Sequence, residues 1–133
     1  MRVRISRMRD DRQVRDAAIE DLPKLASVLR RFADDRDWTQ FHSPKNLVMA
    51  LTVEVAELVE HFQWMSEEQS HRPEADRHQA IALELADVLI YLVRIADILK
   101  VDLLATAAAK IELNRQKYPA DRVRGKSNKY TDY

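Results

Sequence analysis

Between Leu47 and Trp64 the sequence LVMALTVEVAELVEHFQW reads as a helix whose apolar side carries carboxylates, and no other stretch narrows the fold as far. At 3.6 residues per turn, Leu47, Ala50, Leu51, Val55, Leu58 and Phe62 form one apolar stripe. Glu54 and Glu57 fall inside it, on nearly the same face and about 4.5 Å apart in rise along the axis. A second run repeats the device: Ile81, Leu85, Val88, Leu92 and Ile95 make the stripe, and Glu84 and Asp87 interrupt it. Four acids are therefore expected to face one interior, while Glu60, about 240° round the helix from Glu54, is assigned to solvent. Ionised carboxylates taken out of water cost several kcal/mol unless something compensates, and four together also repel one another. A divalent cation answers both problems. Hard oxygen ligands without cysteine or a histidine pair suit magnesium, with manganese or calcium as alternatives, better than zinc or copper.

Composition narrows the class further. A single glycine, Gly125, in 133 residues argues against hairpin turns, a glycine-rich phosphate loop and a dinucleotide-binding turn, so an all-α fold of long helices is expected. That length suits one domain. Lysine plus arginine equal aspartate plus glutamate at 22 each, so no global field points to nucleic acid or an anionic membrane. No apolar run approaches the roughly 20 residues of a membrane helix, and MRVRISRMRD lacks a signal-peptide centre. With no cysteine, disulfides and thiolate chemistry are excluded, and a cytoplasmic protein is expected.

Along the chain, residues 1–18 are arginine-rich with little periodicity and read as a flexible basic arm. A first helix should open at Asp21 and Pro23, run to about Arg36, and bury Leu22, Leu25, Leu29, Phe32 and Ala33. The loop DWTQFHSPKN, with Trp38, Phe41 and His42, leads to Ser43 and Pro44 as the cap and first turn of a second helix reaching Met65. Phe41 and Phe62 are expected in the core. Polar SEEQSHRPE breaks the pattern, a third helix spans about Glu74 to Lys100, and a fourth, capped by Asp102, runs from Leu103 to about Tyr118 before Pro119. Residues 121–133 read as a tail, which leaves residues 19–120 as the helical domain.

Either acid pair alone is most often a solvated helix face; two pairs on the apolar faces of successive helices are not. Spacing excludes two other metal architectures. A ferritin-like bundle wants Glu-x-x-His, but Leu58 and Ala75 precede His61 and His78 by three, and no His-Glu-x-x-His occurs. Glu54-x-x-Glu57, 26 intervening residues and Glu84-x-x-Asp87 resemble the signature of the MazG-type all-α nucleoside triphosphate pyrophosphohydrolases. Within that superfamily, DWTQFHSPKNL, EVAELVEHFQW, ELADVLIYLVRIA, KIELNRQKYP and KYTD are most similar to the dCTP pyrophosphatases, and together they cover about Ile19 to Asp132.

The resemblance implies a four-helix MazG-like bundle assembled as a homodimer or homotetramer, and Mg-dependent hydrolysis of a deoxynucleoside triphosphate, dCTP or a modified dCTP, to the monophosphate and pyrophosphate. It assigns the metal, Mg2+ with Mn2+ as alternative, to Glu54, Glu57, Glu84 and Asp87, with Glu54 or Glu57 orienting the attacking water. It assigns the triphosphate to Lys110, Asn114, Arg115 and Tyr118, and the base to Trp38, His42, Trp64 and Tyr91. Helical spacing agrees in part, since Lys110, Asn114 and Tyr118 share a face. Two other readings use the same residues: a nucleotide- and metal-binding oligomer without turnover, and a structural bundle in which Arg94, Lys110 or Arg115 neutralises the acids.

Overall fold

The computed structural model describes residues 18–129 and 131. The expected basic arm therefore lies, apart from Ala18, outside the described residues. Helices α1 (Leu22–Asp35), α2 (Pro44–Glu60), α3 (Glu67–Ser70), α4 (Ala75–Leu99), α5 (Leu103–Lys117) and α6 (Ala120–Val123) follow in order, with a 3-10 turn at Thr39–Phe41. Among the described residues there is no strand, and no helix is long and apolar enough to cross a membrane. The fold is all-α, as the helical periodicities and the lone glycine require.

The helix starts are dictated locally. Asp21 accepts a hydrogen bond from the Lys24 N–H at 2.7 Å, Ser43 from Asn46 at 3.2 Å and Asp102 from Ala105 at 3.0 Å. Each satisfies an amide that the helix itself leaves unpaired, and Pro23 and Pro44 occupy first-turn positions where no N–H is needed. The end of α1 is equally specified. Asp37 takes a left-handed conformation (φ 57°), its N–H bonds to the Asp34 carbonyl at 3.1 Å, and the Trp38 N–H bonds to the Ala33 carbonyl at 2.9 Å. This is the paired closure of a Schellman motif. Its usual apolar contact is present as an edge-on pair of Trp38 and Phe32, ring centres 5.9 Å apart, with the Arg36 guanidinium 3.5 Å from the Phe32 centroid.

The chain divides into two compact units, Met1–Leu99 and Lys100–Tyr133. In the first, α4 is the central element, with α2 packed along it most extensively and α1 also against it. Its buried apolar residues are Ala33, Leu47, Ile81, Val93 and Ala96, joined by the charged Arg94. In the second, α5 buries none of its residues, and Gly125 (φ 73°) turns the chain after α6.

Several expectations are corrected. Helix α2 stops at Glu60 rather than Met65: the His61, Phe62 and Met65 amides reach back three residues, to Leu58, Val59 and Phe62, so the chain tightens into turns. The segment read as a break holds the one-turn α3, closed by a capping box in which the Gln69 N–H donates to Ser66 Oγ at 3.1 Å and the Ser66 N–H to Gln69 Oε1 at 2.9 Å. The expected tail opens inside a helical turn, Ala120–Val123. Phe32 and Phe41 are exposed rather than buried, as are Val55 of the first stripe and Leu85 and Leu92 of the second. A three-helix contact covers only one side of α2 and of α4, whereas each apolar stripe is broader than that side.

Candidate metal centre

The two acid motifs meet where α2 lies along α4. One carboxylate oxygen from each of Glu54, Glu84 and Asp87 lies within 4.8 Å of the other two. Helix α2 supplies Glu54, and α4 supplies Glu84 and Asp87 one turn apart, so the convergence follows from packing two helices at matching registers. Glu57 is exposed and stands outside that triplet, yet its charge and a shared hydrogen bond act on Glu54. The expected fourfold interior is thus a half-buried trio rimmed by Glu57.

Electrostatics show what the trio lacks. Burial, followed by the charges of Glu57, Asp87 and Glu84 and the hydrogen bond with Glu57, raises the Glu54 carboxyl above its ordinary range. Within the first unit, the cation that the structural-bundle reading offers is Arg94, and it bonds Asp97 and His42 instead of the trio. His61 Nε2 lies 3.8 Å from Glu84 Oε1, too long for a hydrogen bond, and Arg77 Nη1 donates to the His61 carbonyl at 2.9 Å. Converging oxygen donors that repel one another fit a hard divalent cation. Tyr91, one turn beyond Asp87, is raised by burial and then by the charges of Glu54 and Asp87, so its phenol keeps its proton.

The remaining sequence-assigned residues fall in two places. In the first unit, Trp38 and His42 flank the 3-10 turn, Trp38 about half exposed and His42 half-buried beside Arg94. Trp64, in the turn after α2, is 89% exposed and belongs to no core. In the second unit, Lys110, Asn114 and Arg115 lie exposed on α5, and Tyr118 caps its end, its N–H donating to the Asn114 carbonyl at 2.8 Å.

Sequence reasoning missed a polar cluster next to His42. Arg94 is 5% exposed, and Asp97 ties it to Arg30 of α1. The available signal was Arg94-x-x-Asp97 inside an apolar run, an i,i+3 charge pair where helix α4 should be greasy.

Residues 49–133 match the MazG-like family, a span that contains both acid motifs. The chain is 44% identical over 121 residues to dCTP pyrophosphatase 1 of Rattus norvegicus and 42% identical over 119 residues to that of Homo sapiens, covering 88% of this chain and 68% of each relative. A crystal structure of a pyrophosphatase from Archaeoglobus fulgidus DSM 4304 superposes with a TM-score of 0.71 at 36% identity, covering 77% of this chain and 96% of that one. With its acid motifs brought together on two packed helices and similarity running through most of its length, the chain belongs to the MazG-like family.

Proposed function

We propose that this chain hydrolyses a deoxynucleoside triphosphate, dCTP or a modified dCTP, to the monophosphate and pyrophosphate with the help of magnesium, and so controls a nucleotide pool in the cytoplasm. The broader class, a nucleoside triphosphate pyrophosphohydrolase, follows from family membership and the dCTP pyrophosphatase relatives. The observation that carries the reading is the meeting of Glu54, Glu84 and Asp87.

Glu54, Glu84 and Asp87, with Glu57 at the rim, are the residues that would hold the cation. When bound, it supplies neutralisation of phosphate charge and a more acidic bound water. Glu54 is the carboxylate best placed to take up a proton, since burial and then the charges of its acidic neighbours already raise its affinity for one. Tyr91, protonated and beside the acids, offers a neutral donor on the base side. Lys110 and Arg115 supply positive charge for the leaving pyrophosphate, Asn114 and Tyr118 directional donors, and Trp38, His42 and Trp64 a surface for the base. Residues 19–120 form the catalytic domain, residues 1–18 an arm and 121–133 a tail. The working form is a homodimer or homotetramer, a reading supported by the apolar side chains that α2 and α4 leave exposed.

Incubation with each deoxynucleoside triphosphate plus magnesium, beside Glu54→Gln and Asp87→Asn, tests the reading. Monophosphate and pyrophosphate should form, fastest from dCTP or a 5-substituted dCTP, with both variants slower by at least about a hundredfold. Release of inorganic phosphate would place the cleaved bond elsewhere. Magnesium-dependent nucleotide binding without turnover would replace the enzyme by the non-catalytic sensor.

A further inference from the structure

Arg94 occupies a position where an aliphatic residue would pack at less expense. A buried guanidinium is donor-only and always charged, and it loses several kcal/mol of hydration unless its partners are well placed. Its Nη1 donates to Asp97 Oδ2 at 3.2 Å. Asp97 is shared, because Arg30 grips it with two bonds, Nη2 to Oδ1 at 2.6 Å and Nε to Oδ2 at 3.1 Å. The Nε–H of Arg94 is directed to an imidazole instead, His42 Nδ1 at 3.3 Å.

A donor-only group at that distance requires a lone pair on Nδ1. Placing a proton there would set N–H against N–H beside a positive charge, so the single proton of the ring belongs on Nε2. The lowered affinity of His42 for a second proton, caused by burial and then by the Arg94 charge, agrees with that geometry. The backbone that carries the ring is held. The His42 N–H bonds the Thr39 carbonyl at 3.1 Å, Asn46 Nδ2 holds the Phe41 carbonyl at 3.1 Å, and Thr39 Oγ1 bonds Asp34 Oδ1 at 2.6 Å. Nε2 has no hydrogen-bond partner among the described residues.

We infer that Arg94, braced by Asp97 and Arg30, is a positioning residue that locks His42 as a neutral Nε2–H donor, and that this donor reads a lone pair on the nucleobase. The second half rests on the base-side placement of His42 proposed above. A histidine free to change tautomer or charge can accept as readily as donate and discriminates poorly. A locked donor favours a base that presents a carbonyl oxygen or unprotonated ring nitrogen, and disfavours one presenting N–H at the same point.

Long-range 1H–15N correlation spectra of the full chain, with His42 assigned through His42→Asn, report which ring nitrogen carries the proton. Wild type should show the Nε2–H form alone. Arg94→Met should show both tautomers, and Arg94→Lys, which restores a charged donor, should return much of the Nε2–H form. Addition of dCMP should shift the Nε2–H resonance in wild type, and Arg94→Met should raise KM for dCTP about tenfold with a smaller change in kcat. Mixed tautomers in wild type, or an unaltered Nε2–H form in Arg94→Met, would overturn the lock. If Arg94→Met does not fold, Arg94→Lys carries the test, and a KM equal to wild type together with mixed tautomers overturns the inference. A confirmed lock with no response to dCMP and unchanged KM would overturn the base-reading half while leaving dCTP turnover intact; absence of turnover in wild type would instead strike the proposed function.

Discussion

Glu54 stands as a carboxylate only at a cost that burial, and then the charges of its neighbours, impose. Its folded carboxyl holds a proton to higher pH than the unfolded chain does, so the folded state binds more protons there and metal-free stability falls as pH rises from the ordinary carboxylate value through the raised one. Glu54→Gln removes that penalty. In chelator, thermal melts from about pH 4 to about pH 7 should show a smaller decline for the variant and a melting temperature higher by about 2–4 °C at the upper end. Magnesium should stabilise wild type by mass action and should fail to stabilise the same variant. Parallel curves would mean that the trio is not under strain. The convergence of acids was legible in the sequence because spacing along a helix fixes a side chain's direction. The Arg94–His42 bond was not, because its partners are 52 positions apart and nothing local in the loop DWTQFHSPKN announces a guanidinium.

At the scale of elements, beginnings were easier to read than ends. Asp21, Ser43 and Asp102 cap the helices they were expected to cap, since a short polar side chain before a proline or apolar run has one favourable use. The end of α2 carries no glycine or proline, and apolar Phe62 and Met65 continue the periodicity beyond Glu60, so only tertiary packing decides where it stops. Ser43 also joins the loop bearing His42 to the helix bearing Glu54. Ser43→Ala should lower stability by about 1 kcal/mol in denaturant titration, with the slope unchanged if only the cap is lost. An effect near zero would mean that Pro44 alone sets the helix start.

For the molecule as a whole, α2 and α4 carry more apolar surface than the packing of the described residues covers. Val48, Met49, Val53, Val55 and Val59 on α2, and Leu83, Leu85, Leu89 and Leu92 on α4, remain at least 40% exposed. Periodicity records every face that is covered in the working protein and does not distinguish a neighbour in the same chain from one in another. Light scattering at micromolar concentration should give the mass of a dimer or tetramer, and dilution should lower the melting temperature; a monomer with a concentration-independent melt would exclude the assembly. Such sparse burial among the described residues also means that, in the proposed oligomer, folding and association would draw on the same apolar surface. If the proposed assembly also completes the active site, catalytic output near the concentration at which it forms would rise more steeply than in proportion to the amount of chain, and a modest change in expression would act as a threshold rather than a dial.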